Sequence, residues 1–377
     1  MSSTIAGRHA AVSIAAATLL SLLVAAEALA VGWGPAVALT SSGEASYSAG
    51  LVGLGNDRLI AVYNDSAGIV VRRSTNAGLS WRPAQLISST GRQVAISGRG
   101  TTVDLAWVEG RRVRYARSEN SGATFGASVA ISPTGSFVAS PAIARGPHGL
   151  VTVVWLQQKQ VPCCDSPWSV RARVSTNGGT TFKPAAIIGS GYAGLAVAVG
   201  NGVVYAAYEG LTDRSGQPYL RRSLDGGASW TPAVALPRAM GDSASSPHIA
   251  LAATGTTAYV GYNVDDRDPN YVGNDWIRYL RTTDRGASWS AARNLTAPTS
   301  DSADTVLSLK GGTLYAAYVK DGSIFFQSSS NGLKWSQAQQ VAPGSGAFGV
   351  TVAGSVNVLY RSTQENGDNF WARGGTP

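Results

Sequence analysis

From residue 31 onward the chain reads as short runs of alternating or continuous apolar residues, most of them entered through a glycine-bearing turn. Gly55-Asn56-Asp57 precedes Leu59 to Tyr63, Gly98 to Gly100 precedes Val103 to Val108, and His148-Gly149 precedes Val151 to Trp155. Gly200 to Gly202, Gly255, Gly311-Gly312 and Gly354-Ser355 stand before Val203 to Tyr208, Ala258 to Tyr262, Leu314 to Tyr318 and Val356 to Tyr360. Runs of this length and residue type, punctuated by turn residues, predict β-strands joined in hairpins.

Between these runs one polar phrase recurs. It reads Ser74-Thr75-Asn76-Ala77-Gly78-Leu79-Ser80-Trp81, then Ser118 to Phe125, Ser175 to Phe182, Ser223 to Trp230, Thr282 to Trp289, and, with its polar residue one place late, Ser328 to Trp335. Six copies spaced 44 to 59 residues apart mark a repeat architecture rather than a chain of unlike domains. The phrase has a structural chemistry: Asn or Asp bonds back to nearby N–H groups, Gly takes positive φ, and the closing aromatic enters the packing between repeats. Asn replaces Asp in four of the six copies, so a charge is not needed there.

The glycine turns outnumber the phrases by one, and the two ends of the chain account for it. Trp33-Gly34-Pro35-Ala36-Val37-Ala38-Leu39 matches the strand that follows the first phrase, Trp81-Arg82-Pro83-Ala84-Gln85-Leu86-Ile87. Residues 345 to 375 supply three strands and stop where a phrase and an outer strand would follow. The expected fold is therefore an all-β, seven-bladed β-propeller of four-stranded blades, with the N-terminal strand closing the last; six blades is the alternative count. The first six blades span about 44 to 88, 90 to 132, 138 to 189, 192 to 237, 245 to 296 and 302 to 342.

The phrase resembles the Asp box of the sialidase and BNR-repeat families, and Ile69 to Trp81 is similar to the first box of sialidases. That resemblance implies a propeller and, if catalysis is retained, an exo-α-sialidase type of glycoside hydrolase. Its chemistry requires arginines on the substrate carboxylate, a Tyr nucleophile assisted by Glu, and an Asp acid/base. Ser48 stands where the first clamp arginine belongs, Asn64 and Asp65 where a second is frequent, Ser245-Ser246-Pro247 where the assisting Glu is found, and Asn263 at another arginine place. Tyr360 lacks a nucleophile's surroundings. The fold signature survives; the catalytic set does not.

Composition adds an address. Met1 to Ala30 reads as an export signal, with Arg8 in a short polar start, an apolar stretch from Ala10 to Ala26 and Ala28-Leu29-Ala30 before a cleavage site; residues 31 to 377 then form a single domain. The expected product is secreted, a monomer, with no membrane span once the signal is removed. A formal charge of +8 comes from scattered Arg and Lys, not from a basic run interleaved with aromatics, which argues against a nucleic-acid partner.

In the propeller, the loops joining second to third strands crowd the face opposite the phrases. Three of them are long: Gln157 to Trp168, Glu209 to Tyr219 and Asn263 to Trp276. They carry the site expectation: an extracellular glycan or cell-surface protein held by Trp168, Asp213, Arg214, Tyr219, Arg267, Tyr271 and Trp276, among further acids including Asp165 and Asp275. If the chain is an enzyme, Glu209, Asp65 and Asp265 are its catalytic carboxylates. No cofactor is expected, apart from a weak calcium pattern at Asp266, Asp268 and Asn270. Cys163 and Cys164, the only cysteines, are adjacent and could join in a vicinal disulfide or pair with another chain.

Overall fold

The second strand of each repeat is the most apolar and the most deeply buried. In the computed structural model, which describes residues 31–40, 48–159, 168–210, 217–237, 248–265, 274–362 and 368–376, Arg58–Asp65, Thr102–Glu109 and Val203–Gly210 are nearly closed to solvent along their length. A strand that is apolar on both faces must be covered on both, and here the neighbouring sheets cover it. Each such strand carries an aromatic at the same position: Tyr63, Trp107, Trp155, Tyr208, Tyr262, Tyr318 and Tyr360, all buried.

Antiparallel strands in chain order build the sheets. The first contains Ala49–Gly55, Arg58–Asp65, Gly68–Ser74 and Gln85–Ser88; the second Gly91–Arg99, Thr102–Glu109, Arg112–Ser118 and Val129–Ala130. A seven-stranded sheet runs from Ser136–Arg145 to Val234–Ala235. The fourth sheet contains Ile249–Thr254, Thr257–Asp265, Asp275–Thr282 and Arg293–Asn294, and the fifth Ser302–Lys310, Thr313–Lys320, Ser323–Ser329 and Gln339–Pro343. A closing sheet joins Gly346–Ala353, Ser355–Ser362 and Asn369–Thr376 to Gly32–Ala38. The innermost strands touch in a cycle: 49–55 meets 91–99, then 136–145, 186–200, 249–254, 302–310 and 346–353, which returns to 49–55. The fold is an all-β propeller.

The closure joins the chain's ends as their sequence match predicts. Trp33 pairs with Gly375 and Val37 with Ala372. The strand also takes over a side-chain role. Arg72 donates through Nε to the Arg82 carbonyl at 2.9 Å and Arg173 to the Lys183 carbonyl at 2.7 Å, each fastening the outer strand of its own repeat. Arg373 makes the same bond to the Gly34 carbonyl at 2.7 Å, although Gly34 lies at the other end of the chain. The Trp33 ring meets Phe326 edge-on at 5.5 Å, as Phe182 meets Tyr115 at 5.0 Å and Trp335 meets Tyr279 at 5.5 Å.

One feature departs from the sequence expectation. The blades expected at 138 to 189 and 192 to 237 are joined by Ala186–Gly200, a single strand that pairs with Ser169–Ser175 at its start and with Val203–Gly210 over the rest. Gly191 sits at the crossing, where a Cβ would stand 2.1 Å from the Glu209 carbonyl oxygen, so only glycine lets the chain pass. Among the described residues, no helix is long and apolar enough to cross a membrane.

Candidate functional site

The propeller has two unlike faces. One holds the polar phrases beside the glycine turns, tied to them by backbone bonds such as Ala77 N–H to the Asp57 carbonyl, Gly178 to Gly149 and Arg285 to Thr256. Within a phrase the bonds repeat. Ser74 Oγ accepts from Gly78 N–H at 2.9 Å, and Asn76 Oδ1 accepts from Ser80 N–H at 3.0 Å. Asn120, Asn177, Asp225 and Asp284 accept in the same way from Thr124, Thr181, Ser229 and Ser288. Hydrogen bonds from the Ser229 and Ser288 hydroxyls, then from their N–H groups, hold the Asp225 and Asp284 carboxyls well below the usual carboxylate range. Every partner lies inside the phrase, so these residues staple a hairpin, as their sequence implies.

Between the second sheet and Ser136–Arg145 this face also buries charge. Asp104, wholly closed to solvent, receives Arg145 through Nε and through Nη2 at 2.8 Å, and Tyr115 Oη at 2.6 Å. Burial, and after it the Asp104 charge, pushes the Tyr115 phenol far upward, so it stays a donor.

The opposite face is the mouth of the ring. Near it the innermost strands bulge, with Gln93, Ser140 and Asp304 at φ 53°, 49° and 50°, and Gly194 at 58° in the matching strand. An L residue in this region costs about 1 to 3 kcal/mol, and its recurrence makes the bulge a device of the fold. Side chains there bridge neighbouring strands around the mouth. Ser48 Oγ accepts from Val94 N–H at 2.6 Å, Gln93 Oε1 accepts from Ser140 N–H at 3.0 Å, and His248 Nε2 lies 3.0 Å from Asp304 Oδ1. His248 keeps 60% of its side chain exposed. Its carbonyl accepts from Asn263 N–H as the Ser48 carbonyl accepts from Asn64 N–H, so the two residues hold the same place in their sheets.

The residues expected to form a site meet only in part. Trp168 and Tyr219 gather on one cluster with Tyr208, whose ring stacks on Tyr219 at 5.8 Å. Glu209, next along the chain, has no exposed surface and therefore cannot touch a ligand in this conformation. Asp65 stands at a tight hairpin end, where Oδ1 accepts from Ala67 N–H at 2.9 Å. Asp265 pairs across the strands with Asp275 at the base of its loop. Glu209, Asp65 and Asp265 thus stand on three different sheets. Trp276, expected among the ligand-binding residues, is 5% exposed and packs among Leu220, Leu236, Tyr262 and Val264, because its strand turns that face into the core. Asp213, Arg214, Arg267, Tyr271, Asp266, Asp268, Asn270, Asp165, Cys163 and Cys164 lie outside the described residues. Among the described residues, no group of three or more His, Cys, Asp or Glu could hold a metal ion.

Neither His248 nor its partner Asp304 is singled out by the sequence alone. The available signal was positional: Pro247-His248 stands before its inner strand as Tyr47-Ser48 does before the first. Tyr360 is buried and its phenol pushed up to about 12 by that burial, which suits a core residue and not a nucleophile.

No protein-family model matches the chain, and no curated protein matches it. Solved structures do. An ulvan lyase of polysaccharide lyase family PL25, bound to -[GlcA(1-4)Rha3S]-, superposes with a TM-score of 0.54 at 10% identity, over 90% of this chain and 95% of its own. The polysaccharide lyase Uly1 gives 0.53 at 10% identity, over 93% of each chain. Trypanosoma rangeli sialidase, as its covalent intermediate with 2,3-difluorosialic acid, gives 0.51 at 11% identity, over 92% of this chain but 59% of the sialidase. Identities this low carry the fold alone, and the fold is that of the sialidase-like β-propellers.

Proposed function

We propose that this chain is a secreted Asp-box propeller of seven blades that binds an extracellular glycan at the mouth of the ring. The blade count takes the seven-stranded sheet as two blades sharing Ala186–Gly200. The observation that carries the function is the His248–Asp304 pair: a half-open imidazole, fixed by a carboxylate on a rigid bulged strand, between the fourth and fifth sheets at the mouth. Such a pair leaves the second Asp304 oxygen to accept from a sugar hydroxyl and the His248 Nδ1 to meet another, without having to be ordered first. The sequence also puts long segments between the second and third strands of the third to fifth blades, and binding groups concentrate on loops set by a rigid scaffold. A glycan is also the ligand class common to the lyases and the sialidase that share the fold.

Binding fits the described residues better than hydrolysis. A glycosidase needs two carboxyl groups facing one bond at roughly 5 to 10 Å, whereas Glu209 is closed to solvent and Asp65 belongs to a hairpin end on a different sheet. The test is titration of the intact protein against a glycan panel, repeated with His248→Ala and Asp304→Asn. Affinity should fall about tenfold or more in each. Undiminished binding in both would remove the mouth from consideration. Turnover of a fluorogenic glycoside that vanishes in Glu209→Gln would replace binding by catalysis.

A further inference from the structure

The phrase-bearing face carries a second feature, seen by comparing one groove in two repeats. Between the second sheet and the next phrase lies a groove of about 470 Å³ lined by Tyr115, Arg117, Glu119, Val129 and Gly179; between the fourth and fifth sheets its counterpart, about 240 Å³, is lined by Arg281, Thr283, Arg293 and Gly332. The positions correspond. Arg117 and Arg281 each precede the first residue of a phrase, and Val129 and Arg293 sit opposite Tyr115 and Tyr279 in the outer pairing.

The two grooves differ in charge balance: the first pairs an arginine with an acid, and the second carries two arginines. Arg117 is neutralised by Glu119 at 2.8 Å and also donates to the Gly178 carbonyl. In the counterpart Thr283 stands where Glu119 would, and Arg293 replaces Val129. The Arg281 Nε is buried, yet among the described residues it has no hydrogen-bond partner; its guanidinium instead lies over the Tyr259 ring at 5.9 Å. The carboxylate of this phrase, Asp284, is committed to Ser288 and Thr282. A buried N–H without an acceptor is costly, and two guanidiniums on one small groove fit a planar or tetrahedral oxyanion.

We propose that this groove is an anion subsite that takes a sulfate ester or carboxylate of an acidic polysaccharide, on the face opposite the mouth. The inference builds on the glycan reading but uses different residues, so each can fail alone. Calorimetric titration with a sulfated uronate hexasaccharide and, separately, with inorganic sulfate tests it. Arg293→Ala and Thr283→Glu, the latter installing the acid that occupies the other groove, should each weaken the hexasaccharide about tenfold with an unchanged melting temperature. The double substitution Glu119→Thr with Val129→Arg should add a second site of the same kind. Equal affinity in Arg293→Ala and Thr283→Glu overturns the proposal. So does inorganic sulfate binding as tightly as the hexasaccharide, which would make the groove a free-anion site. If His248→Ala and Asp304→Asn lose the hexasaccharide while the groove variants keep it, the groove falls and the mouth stands; the reverse result leaves the groove and removes the mouth.

Discussion

The two faces of this propeller are built from the same repeats but obey different constraints. On the phrase face the turns and the buried ion pair are answered by neighbours, with the Arg281 Nε an exception: Ser74 by Asn76 and Gly78, and Asp104 by Arg145 and Tyr115, while Arg72 and Arg373 are answered by carbonyls of outer strands. At the mouth the polar groups of His248 and Asp304 answer each other and remain partly open. Outside the Arg281–Arg293 groove, the first face uses its polar groups to hold turns and sheets together, and the second keeps some of them open to a ligand.

Stability should therefore be lost on the phrase face and at the closure, and binding at the mouth. The largest effect is expected from deleting residues 31 to 40. That removes the outer strand of the closing sheet, uncovers Phe370 and Ala372, and leaves the Arg373 Nε without its Gly34 acceptor. A cost of roughly 5 kcal/mol or more approaches the whole stability of an ordinary domain, so the deleted protein should show no cooperative unfolding transition by calorimetry. A sharp transition near that of the intact chain would mean that the ring does not depend on this strand.

Next in size is Arg145→Ala. Asp104 would remain buried with only the Tyr115 hydroxyl still donating to it among the bonds described above, and an uncompensated buried charge costs about 3 to 5 kcal/mol. Urea titration should show that loss. Pairing the change with Asp104→Leu should recover much of it, because the charge is then gone as well. His248→Ala, by contrast, removes a mostly exposed ring and should move stability by no more than about 0.5 kcal/mol. If His248→Ala proves as damaging as Arg145→Ala, the mouth pair is a structural clasp and the contrast between the faces disappears.

How far each face was legible in the sequence follows from the same contrast. The phrase repeats because a local turn fixes it, so six copies displayed both its period and its bonds, and Trp33-Gly34-Pro35 announced its partner at 345 to 375 by matching Trp81-Arg82-Pro83. The unbroken strand Ala186–Gly200 was not legible, because its continuity depends on Gly191 passing the Glu209 carbonyl, a contact between segments distant in pattern. The burial of Trp276 is hidden for a related reason: a tryptophan beside a polar loop looks open until the neighbouring sheet supplies Leu220 and Leu236. His248 and Asp304 lie 56 positions apart, counted from their residue numbers, and are joined by ring geometry alone, which no local pattern records.

The smallest expected effect separates the charged phrases from the neutral ones. Asn76, Asn120 and Asn177 hold the same N–H groups as Asp225 and Asp284, so charge is dispensable at neutral pH. It is not neutral toward acid. The folded carboxyls of Asp225 and Asp284 lie below their ordinary value, chiefly through the Ser229 and Ser288 hydroxyls, so the folded state releases the proton more readily than the unfolded chain. Their contribution is therefore complete above the unfolded value, about pH 4, and fades as pH falls through the depressed folded values. Both side chains are open to water, which keeps the effect small. Asp225→Asn with Asp284→Asn should leave the melting temperature at pH 7 unchanged and make its decline below about pH 4 shallower, while Asn177→Asp should steepen it. Parallel acid profiles for all three proteins would show that the phrase works through shape alone, whichever of the two side chains it carries.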